Sequence, residues 1–74
     1  MTQTPTTATT AALAALKADR TKRGDAARKA LKQISTDLFA AVGCEFSTFA
    51  DIAEEACAAA GMAPITVNMM LNFV

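Results

Sequence analysis

The cationic side chains of this chain, which could bind an anionic ligand, lie close together in the sequence. All seven Lys and Arg residues fall between Lys17 and Lys32, and two acidic residues among them, Asp19 and Asp25, leave this stretch with a net charge of +5. The other five acidic residues balance it, so the whole chain is neutral. A cationic stretch of this density is typical of proteins that bind nucleic acid or another polyanion. The alternative is a solvated helix face whose charges pair with the acidic half of the chain.

The chain contains no His and only two cysteines, Cys44 and Cys57. His is the commonest general base, the commonest activator of a nucleophilic Ser or Cys, and the commonest metal ligand. Two thiols alone are too few for a structural zinc site, which takes four ligands. We therefore expect no enzyme activity, no metal and no cofactor. We interpret both cysteines as reduced, small apolar residues of an intracellular protein.

Length and composition allow one small domain with a thin core. Seventy-four residues are too few for two cores, and many of the apolar residues, which make up 53% of the chain, are Ala. The first ten residues have neither the basic residues nor the apolar run of a targeting signal. No stretch approaches the roughly 20 apolar residues of a membrane span. We therefore expect a cytoplasmic protein that does not bind membranes.

Glycine and proline divide the chain into four predicted helices, and no segment has the alternating pattern of a strand. Residues 1–7 are rich in Thr and are predicted to form a disordered tail, which leaves residues 8–74 as the domain. The first helix is expected from about Ala8 to Arg23, where Gly24 ends it.

The second predicted helix carries the clearest hydrophobic stripe of the chain. Asp25 is its expected N-cap, and Gly43 is expected to end it. Apolar residues recur along it at intervals of four, three, four and three, as on the buried face of an amphipathic helix. Shorter stripes on the third and fourth helices complete the predicted core. Its members are Ala27, Leu31, Ile34, Leu38, Phe49, Ile52, Ala56, Val67, Met70 and Leu71.

The two remaining helices have boundary signals of their own. Ser47 or Thr48 is expected to start the third helix, because Thr48 and Asp51 approximate a capping box. Gly61 is expected to end it. Pro64 suits the first position of the fourth helix, where its missing N–H and fixed φ cost nothing. The sequence therefore predicts an all-α domain of four helices.

The segment from Ala53 to Asn72 has the spacing of a helix-turn-helix. Cys57 is the small residue expected where the two helices cross, and Gly61 is expected to take the positive φ of the turn. The fourth helix is then the recognition helix, which enters the major groove of DNA. The apolar residues expected to lock the two helices together are Ala56, Ala60, Met62, Val67 and Met70.

At these residues the chain resembles the helix-turn-helix of lactose-repressor-type bacterial DNA-binding domains. The resemblance covers about 24 residues. The residues that carry it are Asp51-Ile52-Ala53-Glu54-Glu55-Ala56, then Gly61-Met62, then Thr66-Val67-Asn68. The first helix of the motif departs from the family pattern by four extra residues, 57–60, or about one helical turn. The resemblance implies sequence-specific binding to double-stranded DNA and repression of transcription.

The chain as a whole also looks like the DNA-binding half of plasmid stability proteins of the StbA type, through its cationic stretch and Ala-rich core. That resemblance implies a protein of the bacterial nucleoid or of a plasmid, which binds repeated operator sites and acts in plasmid segregation and repression. The helical pattern still continues at Val74, so we expect a truncated piece of a longer protein, whose missing C-terminal part could mediate self-association.

The predicted DNA contacts fall into two groups, because the fourth helix has no basic residue and phosphate contacts must come from elsewhere. The predicted phosphate contacts are Arg20, Lys22, Arg23, Arg28, Lys29, Lys32, Ser47 and Thr48. The predicted base contacts are Ile65, Thr66, Asn68, Met69 and Asn72. Asn pairs well with adenine and apolar groups pack on the thymine methyl, so we expect a site read mainly at A·T pairs. The alternative function is a helical protein-interaction module, whose Ala face docks a partner helix.

At 100° per residue from Val67, which is expected to face inward, three of these residues fall on the exposed side: Asn68, Met69 and Asn72. Ile65 and Thr66 flank the start of the helix.

Overall fold

The computed structural model describes residues 5–19 and 21–74, and this part of the chain forms four α-helices and no strand. The predicted all-α domain of four helices is therefore confirmed. The helices are α1 (Pro5–Ala18), α2 (Asp25–Ala41), α3 (Phe46–Ala60) and α4 (Pro64–Asn72). None of these helices is both long enough and apolar enough to cross a membrane.

The core is built around α3, which contacts all three other helices and packs most extensively on α1. Three of its buried residues, Ala53, Ala56 and Cys57, have small side chains, and small side chains let neighbouring helices approach closely. Phe49 supplies the bulk: it is fully buried, and its ring makes an edge-to-face contact with Phe39 at a centroid distance of 5.5 Å. The buried apolar residues are Leu13, Leu31, Leu38, Phe49, Ala53, Ala56, Cys57 and Met70.

Five of the ten predicted core residues are buried, and the other five are only partly covered. Leu31, Leu38, Phe49, Ala56 and Met70 are buried as predicted. The other five flank the core and are only half-buried, because four short helices cannot cover both edges of every stripe. They are Ala27, Ile34, Ile52, Val67 and Leu71.

The predicted limits of the first helix are wrong at both ends. Residues 5–7, predicted to lie in the disordered tail, are the first residues of α1; residues 1–4 lie outside the described part of the chain. The Thr-rich segment is compatible with a helix because its hydroxyls bond to its own backbone, as where Thr10 Oγ1 donates to the Thr6 carbonyl at 2.7 Å.

α1 ends at Ala18, well before Arg23 and Gly24. Directly after it, the Asp19 carboxylate accepts a hydrogen bond from the Thr21 backbone N–H at 2.9 Å. Such a turn offers the backbone an alternative to continuing the helix.

The predicted N-caps of α2 and α3 are also wrong. Asp25 is the first helical residue of α2, and the N-cap position is held by Gly24, so no side chain caps this helix. α3 begins at Phe46 with Glu45 as its N-cap, which places the expected capping-box residues Thr48 and Asp51 inside the helix. The chain enters α3 early because Gly43 and Cys44 both adopt left-handed backbone conformations and complete the turn within two residues.

Candidate nucleic-acid interface

The connection between α3 and α4 is a three-residue turn whose geometry is fixed at both ends. Gly61 ends α3 in the left-handed conformation, with φ 73° and ψ 30°, as predicted. The Met62 N–H donates to the Cys57 carbonyl at 2.8 Å and the Gly61 N–H donates to the Ala58 carbonyl at 3.2 Å. These two bonds form a Schellman motif, which satisfies the last carbonyls of the helix. Pro64 then occupies the first position of α4, also as predicted.

The two helices are held together by a buried contact between sulfur atoms. Cys57, the predicted crossing residue, is 2% exposed, and its Sγ lies 3.7 Å from Sδ of Met70, which is fully buried. Burial raises the pKa of the Cys57 thiol, so the group stays neutral and behaves as a small apolar side chain. Cys44 differs from our expectation, because it is an exposed free thiol in the α2–α3 turn.

Lys17 makes a contact with the turn that sequence reasoning did not anticipate. Its Nζ donates a hydrogen bond to the Gly61 carbonyl at 2.8 Å and so joins the end of α1 to the end of α3. A cation at this position also interacts favourably with the negative end of the α3 dipole. The two partners are 44 positions apart in the sequence, so no local pattern indicated this contact.

The exposed face of α4 is narrower than predicted. Ile65, at 64% exposure, forms one outward stripe with Asn68 and Asn72, and this stripe carries no charge. Thr66 and Met69 are half-buried, and Met69 packs against the core, so the prediction that Met69 faces outward is wrong.

The physical reason is that the start of α2 packs on this side of α4, and side chains from the end of α1 reach the same groove. They form with α4 a pocket of about 330 Å³, to which Leu16, Ala27, Leu31, Thr66 and Met69 all contribute.

The predicted phosphate-binding residues do not form one patch with α4. Arg28 lies beside α4, since it lines the same pocket as Thr66 and Met69. Lys22 lies in a different groove, between α1 and α2, and its Nζ is 3.9 Å from the Asp19 carboxylate. Arg23, Lys29 and Lys32 are exposed, and Arg20 lies outside the described residues.

The start of α3 is less suited to an anion than expected. Ser47 is exposed, but its hydroxyl donates to the Glu45 carboxylate at 3.3 Å, and Thr48 is half-buried. A carboxylate at this position opposes the attraction that a helix N-terminus has for phosphate. The geometry therefore gives these two predicted phosphate contacts little support.

One acidic side chain, that of Glu54, borders the opposite edge of α4. Asp51, Glu54 and Glu55 are exposed on the outer side of α3, and Glu54 lines the same groove as Asn68. Among the described residues the ion pair that forms is Lys22 with Asp19, both from the same segment. No ion pair among the described residues therefore joins the cationic stretch to the acidic half of the chain.

Comparisons with protein-family models, with curated proteins and with solved structures find no match for this chain. The resemblances to repressors and plasmid stability proteins therefore remain predictions from the sequence. Within the described residues, no group of three or more Cys, Asp and Glu side chains is placed to hold a metal ion.

Proposed function

We propose that this domain binds double-stranded DNA, with α4 lying in the major groove. The observation that carries the proposal is the combination of a tight glycine turn with an exposed, uncharged stripe on the following helix, made of Ile65, Asn68 and Asn72. A major groove admits one α-helix, and uncharged polar and apolar side chains on that helix can contact base edges without repelling the backbone.

The stripe has the side-chain chemistry to distinguish A·T pairs. A carboxamide such as that of Asn68 can make two hydrogen bonds with N6 and N7 of adenine, and Ile65 can pack on a thymine methyl group. Each well-placed bidentate pair contributes about 1 to 3 kcal/mol of discrimination. Thr66 and Met69, which were predicted to share this role, are turned toward α2 and support the helix instead.

Bulk affinity in this proposal comes from cations at the start of α2. Arg28 is adjacent to α4, and Arg23 directly precedes Gly24, which lines the same pocket. Removing either charge weakens binding to every sequence and reduces the dependence on salt, because phosphate contacts release counterions without reading bases. The acidic residues on the other side of α4 oppose the duplex and limit the affinity of a single copy.

The cellular roles implied by the sequence resemblances, repression of transcription and plasmid maintenance, are compatible with such a domain. A second candidate function is docking of a protein partner. It is favoured by the groove of about 470 Å³ between α3 and α4, whose walls include Met62, Val67 and Leu71, and by Phe46, which is 50% exposed.

The two candidates separate in a binding experiment with a pool of random duplexes, titrated at low and moderate salt and then selected for the tightest sites. We expect complexes that weaken steeply with salt and a selected site rich in A·T pairs. Asn68→Ala should weaken binding to the selected site by about 1 to 3 kcal/mol and leave random DNA almost unaffected. Gln33→Ala is the matched control, because it removes an exposed amide from α2, away from α4.

Two results would count against the proposal. A domain that forms no complex with any duplex at low salt does not bind DNA and leaves protein docking as the better candidate. An Asn68→Ala variant that binds the selected site as tightly as the parent removes Asn68 from base recognition.

A further inference from the structure

Two exposed faces of the domain carry opposite charges that no ion pair among the described residues neutralises. We call Lys29 and Lys32 of α2 the basic face, and Asp51, Glu54 and Glu55 of α3 the acidic face. All five side chains are exposed, and none of them belongs to the ion pair found among the described residues. Two unpaired faces of opposite sign on one molecule are complementary to each other on two copies.

The size of the domain brings two copies together on one side of a duplex. The domain measures 31 by 28 by 18 Å, and sites on the same side of B-DNA repeat about every 34 to 36 Å, which is one helical turn. When the longest dimension lies along the duplex, a gap of a few Å remains, which is within reach of extended Lys and Glu side chains.

We infer that copies bound on adjacent turns of DNA contact each other, with the basic face of one copy against the acidic face of the next. This inference rests on the proposed function. It also resolves the electrostatic problem of a single bound copy, since Glu54 lies beside Asn68 and so comes near the phosphates when α4 enters the groove. The lysines of a neighbouring copy offset that negative charge.

The contact is weak by itself and acts only on DNA. Exposed ion pairs contribute little individually, and association in free solution also loses translational and rotational freedom. Binding to neighbouring turns already brings two copies together at a high effective concentration, so the pairs then appear as cooperativity. Two or three such pairs correspond to a cooperativity factor of roughly 5 to 30.

The experiment compares binding to alternating dA·dT duplexes of two lengths at low salt. A duplex of about 12 base pairs holds one copy, and one of about 48 base pairs holds several. The cooperativity factor is the per-site affinity on the long duplex divided by the affinity on the short duplex. An effect of a substitution on the binding of a single copy changes both affinities equally and cancels in this ratio. We expect the parent to bind the long duplex roughly 5 to 30 times more tightly per site.

Charge reversal provides the matched variants. Lys29→Glu with Lys32→Glu, or Glu54→Lys with Glu55→Lys, should each reduce the factor to about 1, because both place like charges at the contact. The variant with all four substitutions has the net charge of the parent and should recover most of the cooperativity, since Lys29 and Lys32 have exchanged signs with Glu54 and Glu55 while Asp51 is unchanged. Circular dichroism checks that every variant is folded.

If the parent binds the short duplex, the remaining outcomes test the contact between copies separately from DNA binding. Tight but non-cooperative binding by the parent overturns the inference and leaves the proposed function intact. Cooperativity that survives either reversal, or that the fourfold variant fails to recover, also overturns it. A parent that binds neither duplex overturns the proposed function and the inference together.

Discussion

Gly61→Ala tests the turn on which the proposed DNA-binding geometry depends. An L-residue other than Gly loses about 1 to 2 kcal/mol in the left-handed conformation that Gly61 adopts. A Cβ atom at this position would lie 2.9 Å from Lys17 Nζ, so the Lys side chain has to move and its bond to the Gly61 carbonyl is lost. A cation at a helix C-terminus contributes about 0.3 to 1 kcal/mol. We therefore expect Gly61→Ala to lower the free energy of unfolding by about 1.3 to 3 kcal/mol.

That loss is large for this domain, because a chain of 74 residues typically has a free energy of unfolding of about 4 to 11 kcal/mol. Urea denaturation followed by circular dichroism measures it. Gly43→Ala is the matched control: Gly43 also has a left-handed φ, of 68°, but a Cβ there meets no atom within 4 Å. We expect Gly43→Ala to cost only the backbone strain, about 1 to 2 kcal/mol.

Lys17→Met separates the two contributions to the Gly61→Ala effect. In this background the cost of Gly61→Ala should fall to that of Gly43→Ala, because the contact with Lys17 is already absent. An equal cost of Gly61→Ala in both backgrounds would show that Lys17 does not bond to the turn. A cost below about 0.5 kcal/mol in either background would refute the left-handed conformation itself.

Three further predictions concern stability, pH and thiol reactivity. Phe49→Leu should lower the free energy of unfolding by about 1 to 3 kcal/mol in urea denaturation, because it removes contacts with two neighbouring rings; an unchanged midpoint would contradict the packing. Hydrogen bonds from Thr21 lower the pKa of Asp19 below 3.8, so this carboxylate stabilises the fold above that pH and its contribution is lost as the pH falls through the lowered value. Asp19→Asn should therefore flatten the acid limb of a plot of stability against pH, and an unaltered limb would refute the assignment. Iodoacetamide should alkylate Cys44 in the folded protein and reach Cys57 only on unfolding, as mass spectrometry can measure; equal rates would place Cys57 at the surface.

The features that the sequence predicted correctly are those determined within a few residues. Gly61 and Pro64 specify the α3–α4 turn through their own backbone preferences, so both positions were predictable. The stripe containing Leu31 and Leu38 was predictable for a similar reason, because the helical period alone brings these residues to one face.

The features that were missed depend on non-local contacts or on rare backbone conformations. Met69 is half-buried because the start of α2 packs on its side of α4, which the period of α4 cannot indicate. The early start of α3 follows from a left-handed Cys44, a conformation with no sequence signal in a residue other than Gly. The bond from Lys17 to the turn requires the packing of α1 against α3 to be known first.

The Ala side chains of the α3 core affect how the fold responds to change. Ala53 and Ala56 are fully buried and have no χ rotamers, so their burial loses no side-chain conformational entropy. For the same reason they cannot adapt by rotation when a neighbouring residue grows or shrinks. When a residue facing α3 is enlarged, the adjustment has to come from the larger neighbours, such as Leu13 and Met70, or from a shift of the backbone. The interior of this domain thus tolerates few sequence changes, while the charged surfaces of α2 and α3 can vary without altering the backbone.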